Sequence, residues 1–383
     1  MSLGLIVQLG ILAAIAAILP LSTVWAAARK ERYRKLVAVT LFLTFDLIVF
    51  GAFTRLTDSG LGCPDWPGCY GQANPFQAHN EIMAAQLAMP TGPVTVVKAW
   101  IEMIHRYLAM AVGVLIISLM VLAWRQWWQQ RPSHRQATGA KKPWFTVLLF
   151  GFVCLQGAFG AWTVTLKLQP IIVTIHLVLG MGLLAMLGWL YAQQGLHPVS
   201  SDPRIASLRW PALLGAIILM MQIALGGWVS TNYATLACTD FPLCQGVIVP
   251  TMDYAQGFSL WRKLGMTANG DYLPFAALTA IHWTHRNAAF LVVAVLGWCA
   301  WRALKVPSLQ WIGKWLFAGL VVQCATGIAT IYFKWPLALA VAHNAGAAAL
   351  LLLMVMLNYK TLAASRVRVT RPNPAPGPAL STP

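Results

Sequence analysis

The sequence predicts an all-α polytopic membrane protein made of two tandem, pseudo-symmetric four-helix bundles, an eight-helix core, plus one extra N-terminal transmembrane helix. Three observations predict it. Hydrophobic residues fill 58% of the 383 positions and charged residues only 10%, a composition for membrane spans rather than for one large soluble core. Nine apolar stretches are long enough to cross a bilayer. Setting the first aside, the other eight form two sets of four that repeat one another.

In chain order the spans fall at about 3–27, 36–54, 97–123, 144–164, 171–192, 208–229, 276–301, 311–331 and 336–357. The first ends in Ala26-Ala27-Ala28, which resembles a signal-peptide cleavage site. Its N-terminal flank carries no Lys or Arg, however, and a basic cluster follows it. Residues 1–35 are therefore expected to be a retained span, N-terminus outside, with a basic cytoplasmic linker. Residues 36–195 form the first half and 205–360 the second, joined near 195–207, where His197-Pro198-Val199-Ser200-Ser201-Asp202-Pro203 reads as a linker. The stretch 361–383, rich in Pro, Arg and Ser, is expected to be a disordered tail.

The net charge of +17 is explained by topology and calls for no nucleic acid. Arg29, Lys30, Arg32, Arg34 and Lys35 follow the first span. Arg125, Arg131, Arg135, Lys141 and Lys142 lie between the third and fourth, and Arg302, Lys305, Lys314, Lys360, Arg366, Arg368 and Arg371 continue on the same side. This positive-inside bias places the C-terminus in the cytoplasm and the two long loops outside.

Two segments of one half repeat in the other, each at a constant offset. Gly51-Ala52-Phe53 through Cys63, Cys69 and Gly71 matches Gly226-Gly227-Trp228 through Cys238, Cys244 and Gly246. Gln156 to His176 matches Gln323 to His343, pairing Gly160 with Gly327, Thr163 with Thr330 and Lys167 with Lys334. Each half has an even number of spans, so the repeat is parallel, about an axis along the membrane normal.

Four histidines lie inside the spans as two matching pairs, His105 with His176 and His285 with His343. An ionisable residue within a membrane is costly enough to be read as functional. His105 sits about 10 Å from the outer end of its helix at ~1.5 Å per residue, and the others lie at similar depth. Two helices entering from one side offer two imidazoles to one planar macrocycle, and neutral imidazole is a strong axial donor to haem iron. Histidines that merely hydrogen-bond neighbouring helices are the plain alternative. Zinc or copper would need a further Cys, His or carboxylate at each site. His282, three residues from His285, is expected to line the pocket. Arg106 and Arg286 directly follow His105 and His285, and each either pairs with an anionic group such as a haem propionate or snorkels.

Cys63 with Cys69, and Cys238 with Cys244, each frame five residues in an external loop. An oxidising compartment permits disulfides there. They are read either as staples over the site or as a thiol–disulfide couple engaged in electron transfer or assembly. Cys154, Cys299 and Cys324 are expected to be packing residues.

The run Thr54-Arg55-Leu56-Thr57-Asp58-Ser59-Gly60-Leu61-Gly62-Cys63-Pro64-Asp65-Trp66-Pro67-Gly68-Cys69, with Glu102-Met103-Ile104-His105-Arg106, His176, Thr284-His285-Arg286 and His343, resembles the haem A synthases over residues 36–358. The resemblance implies an oxidoreductase of the bacterial inner membrane that oxidises the C8 methyl group of haem O to a formyl group, giving haem A for cytochrome oxidase assembly. It further implies that His105 and His176, with Arg106, flank the substrate haem O. His285 and His343, with Arg286, would hold haem B as an electron-transfer cofactor, and Glu102 would stabilise a cationic intermediate or move protons. An ion pair between Glu102 and Arg106 is the structural alternative. Only the first half has a carboxylate beside its ligand, since the position matching Glu102 is His282. Implied partners are membrane lipid, the haem O synthase, oxidase assembly factors and a quinone or other electron carrier, with homo-oligomerisation open. The rival reading is a di-haem membrane cytochrome relaying electrons from quinol, or a haem-delivery protein.

Overall fold

The computed structural model describes residues 3–130, 142–195 and 202–370, with side chains to 366. Among these, nine helices are long and apolar enough to cross a membrane. Helix α1 spans Leu3–Trp25, α2 Arg32–Leu56, α4 Val96–Gln129, α5 Trp144–Thr165 and α6 Pro170–Ala192, with short α3 (His79–Ala88) in the first long loop. The second half has short α7 (Pro203–Ala206), α8 Arg209–Thr231, short α9 (Tyr254–Gly257), α10 Phe275–Leu304, α11 Gln310–Tyr332 and α12 Leu337–Thr370.

Each half closes into a ring. Helix α2 packs on α4, α4 on α5, α5 on α6 and α6 back on α2; in the same way α8, α10, α11 and α12 pack in turn and α12 returns to α8. The rings meet where α6 touches α8 and α12, and where α2 touches α12. Helix α1 leans on α4 and α2. Leu5, Leu9, Ala13 and Ala17 form its buried stripe, one residue in four, while Ile11, Ile15 and Ile18 on other faces are exposed. A helix apolar all round, with half its surface outside the protein, suits lipid on that side.

Local chemistry sets the helix ends. The Thr95 side chain accepts from the Lys98 N–H to cap α4, Pro170 occupies the first turn of α6, and Pro274 precedes α10. The repeat persists in the backbone itself. Lys167 and Leu168, in the turn between α5 and α6, have φ of 50° and 57°, and their counterparts Lys334 and Trp335 have 54° and 65°. Asp58 and Tyr233 have 52° and 55°, and Tyr70 and Gln245 have 50° and 57°. Left-handed conformations are uncommon outside glycine, so their recurrence at matched positions extends the sequence repeat to the backbone.

Three expectations need correction. The stretch from 361 was expected to be disordered, yet α12 continues through Thr370. The run Thr361 to Ser365 has no helix breaker, and Thr361 and Ala364 are buried where α12 packs on α7. Residues 371–383 lie outside the described residues, as do Arg131, Arg135, Lys141 and most of the linker at 196–201. Helix α4 likewise outruns its apolar limit, continuing to Gln129. Of the three unpaired cysteines only Cys299 is in the core; Cys154 and Cys324 are exposed. Their helices are apolar on every face, so periodicity could not separate an inward sulfur from an outward one.

Candidate functional site

The four histidines lie at the same end of the molecule. Each sits within about three turns of the start of its helix, on α4, α6, α10 and α12 respectively. Each ring is half-buried, and the members of each pair lie within electrostatic reach of one another.

Every imidazole faces a glycine on the adjoining helix. A Cβ built on Gly51 of α2 would lie 3.0 Å from Nε2 of His105, and one on Gly160 of α5 would lie 3.2 Å from Cε1 of His176. In the second half, Gly226 of α8 and Gly327 of α11 stand 3.0 and 3.1 Å from Cε1 of His285 and His343. The notches are thus filled by the rings themselves, and even a methyl group there would crowd them. Phe50 stacks beside His105 with ring centroids 6.4 Å apart. Gln156 and Gln323 donate to the backbone carbonyls of His176 and His343 at 3.1 and 3.0 Å. The Nδ1 of His176 is buried with no partner among the described residues.

Above each pair a disulfide-closed loop is seated on the first histidine helix. Cys63 is joined to Cys69 and Cys238 to Cys244, with Cα atoms 4.9 and 4.7 Å apart. A Cβ on Gly62 would collide with the backbone of Lys98 and Ala99 in α4, so glycine lets the loop sit flush on that helix. Glu102, 4% exposed, accepts the Cys63 N–H on Oε2 at 2.8 Å. Its Oε1 pairs with Nη2 of Arg106 at 2.5 Å. Nη1 of Arg106 donates to the carbonyls of Pro67 and Gly68.

The second loop repeats the plan with one exchange. His282, 5% exposed, takes the place of Glu102 and accepts the Cys238 N–H on Nδ1 at 3.2 Å. Arg286 donates to the carbonyls of Pro242 and Leu243 at 3.2 and 3.0 Å, and its Nη1 is buried without a partner among the described residues. His282 therefore anchors its loop to α10 as Glu102 anchors the first loop to α4. The ion pair weighed for Glu102 is present, and both arginines rest on loop carbonyls.

Asp46 escaped the sequence reading. It lies midway along α2 and lines a cleft with Val49, Phe50, Phe53 and Val341, between α2 and α12. The signal was available, because Asp46 and Glu102 are the two carboxylates within the apolar segments. Gln222 and Thr326 were missed as well. Gln222 Nε2 lies 3.2 Å from Nδ1 of His285, and Thr326 Oγ1 lies 3.0 Å from Nδ1 of His343. Comparing the halves position by position would have exposed both, since their counterparts are Leu47 and Phe159.

The profile of one family, described as cytochrome oxidase assembly protein, matches residues 34–355. A protein of Shewanella oneidensis named haem A synthase is 39% identical over 313 residues, covering 81% of this chain and 91% of its own. Proteins of the same name from Sinorhizobium medicae and a Caulobacter species are each 30% identical. Each alignment covers 83% of this chain, with 88% and 93% of those proteins.

Proposed function

This chain belongs to the haem A synthase family of cytochrome oxidase assembly proteins, and on that footing we propose that it is a multi-pass membrane enzyme converting haem O to haem A. In the finer reading it is an oxidoreductase of the bacterial inner membrane, with its C-terminus in the cytoplasm and its disulfide loops outside. His105 and His176 flank haem O in the first bundle, and His285 and His343 hold haem B in the second.

The observation that carries this reading is the facing of four imidazoles, two per bundle, by four repeat-related glycines. Two neutral imidazoles per bundle suit haem iron, and the glycine facing each ring lets the neighbouring helix approach it closely. The Nη1 of Arg286, buried with no partner among the described residues, is a donor suited to a propionate. Haem B, when bound, supplies one-electron transfer.

The C8 methyl group becomes a formyl group in two successive two-electron oxidations, the first leaving an alcohol and the second a hydrated aldehyde that loses water. Each takes an oxygen atom from water and passes two electrons to a quinone or other electron carrier, with release of two protons. Glu102 is the carboxylate on the substrate side, one helical turn from His105, and is placed to take or return a proton. Arg106 holds it in position. The exchange of Glu102 for His282 in the second half supports assigning the oxidation to the first. Implied partners are a haem O-supplying synthase, oxidase assembly factors and a quinone or other electron carrier.

The test is conversion of haem O to haem A by purified protein, wild type against Glu102→Ala, with haem extracts resolved by chromatography. Conversion lost in the variant supports the assignment, and undiminished conversion removes Glu102 from the mechanism. Haem B in both bundles with no conversion would favour the electron-relay reading.

A further inference from the structure

The two bundles support their histidines differently. In the second, each imidazole has a polar side-chain partner at Nδ1, Gln222 for His285 and Thr326 for His343. In the first, the same positions are Leu47 and Phe159. There the His176 Nδ1 is unpartnered, and the His105 ring has an aromatic neighbour in Phe50 and no hydrogen bond among the described residues. The glutamines common to both bundles share this difference: Gln156 serves only the His176 carbonyl, whereas Gln323 Nε2 serves the His343 carbonyl and also lies 3.3 Å from Nε2 of that ring.

We propose that Gln222 and Thr326 are positioning residues that lock His285 and His343 for lasting porphyrin ligation, whereas Leu47 and Phe159 leave His105 and His176 able to let theirs go. The inference rests on the reading that both pairs hold haem. Its chemistry follows from where the protons lie. The Thr326 hydroxyl donates to the carbonyl of Val322 or Gln323, at 2.9 and 3.1 Å, so towards the imidazole it accepts. That places hydrogen on Nδ1 of His343 and makes Nε2 the lone-pair nitrogen, facing the Gln323 amide at 3.3 Å and open to iron once that long contact is given up. Gln222 Nε2 donates to the His285 carbonyl at 2.9 Å, and its Oε1 is buried without a partner among the described residues. The same Nε2 lies 3.2 Å from Nδ1 of His285, so one amide ties the ring to its own backbone. A substrate site has to release its product at each turnover, and a resident cofactor does not. The difference belongs in the dissociation rate.

The experiment loads the full-length protein with iron protoporphyrin IX, adds excess apomyoglobin as acceptor, and follows transfer by the Soret band. Wild type is expected to release haem in two phases, the slow one from the second bundle. Gln222→Met and Thr326→Val, both close to isosteric, are expected to speed the slow phase about tenfold or more while the fast phase holds. They should also shift the low-spin ferric resonance of the slow site. Thr326→Ser, which keeps the hydroxyl, should behave as wild type, and Leu47→Gln should slow the fast phase. A slow phase unchanged in both apolar variants overturns the role given to Gln222 and Thr326 and leaves the two-haem reading standing. A wild type that binds no porphyrin in either bundle overturns both.

Discussion

The Tyr233 hydroxyl donates to Oδ1 of Asp58 at 2.6 Å across 175 residues of sequence, and that separation is the repeat offset itself. Arg55 and Ser230 stand in the same relation, with Nη2 of Arg55 donating to the Ser230 carbonyl at 2.6 Å. Equivalent residues of two halves can touch only beside the axis that relates them, so these four mark it. The Arg55 guanidinium also lies 4.3 Å from the centre of the Tyr233 ring and pairs with Asp58 at 3.1 Å.

Arg55→Ala is therefore expected to loosen the seam between the bundles. Its side chain is 15% exposed, and a hydrogen bond to a charged donor contributes about 1.5–3 kcal/mol. Asp58 is 52% exposed, so Tyr233→Phe should cost less, about 1 kcal/mol. Thermal midpoints of the purified protein in detergent, compared across the two variants, check the order.

Each glycine facing an imidazole should be a selective occupancy switch. Gly51→Val or Gly160→Val is expected to lower porphyrin content in the first bundle, and Gly226→Val or Gly327→Val in the second. The alternate bundle should stay loaded. Haem-to-protein ratios after extraction read this directly, and equal loss from both bundles in any single variant would contradict it.

Glu102 can be separated from its scaffolding role by charge. Glu102→Ala strands the buried Arg106, a loss of about 3–5 kcal/mol for a broken buried pair, and leaves the Cys63 N–H without its acceptor. Glu102→Gln keeps an acceptor for that N–H and is expected to be the more stable variant, yet equally unable to convert haem O. Thermal midpoint and conversion measured on the same preparations distinguish fold from chemistry.

The second loop should respond to acid. Asp240 accepts the Gly246 N–H at 2.9 Å and the Gln245 N–H at 2.7 Å, and these bonds hold its carboxyl below the usual range. A depressed folded-state pKa gives stability that is fully present above the unfolded value, about 3.9. It is lost as the pH falls through the folded value. Limited proteolysis between Cys238 and Cys244 should accelerate below about pH 4, and Asp240→Asn should flatten that profile.

How much was legible depended on how rare each signal is. A histidine in an apolar span stands out against its surroundings, so all four candidate ligands could be named from sequence, and the fixed offset between the cysteine loops revealed the duplication. The multi-pass helical architecture followed from the same apolar runs. Gln222 and Thr326 were not legible, because a glutamine or threonine in a membrane helix looks ordinary until a ring nitrogen is found 3.2 or 3.0 Å away. Helix limits failed where polar residues continue a helix beyond its apolar part, as from Thr361 to Thr370. The anchoring of loop amides by Glu102 and His282 was hidden because it joins residues 39 and 44 positions apart.

Contacts on the axis carry one further consequence. In a homodimer of one four-helix unit, each residue on the two-fold would meet its own copy, so an arginine there would confront an arginine. Covalent tandem linkage lifts that constraint, and here a cation answers a serine carbonyl while a carboxylate answers a phenol. The same freedom lets two bundles of common plan carry a carboxylate in one and an imidazole in the other, a difference closed to any assembly of identical subunits.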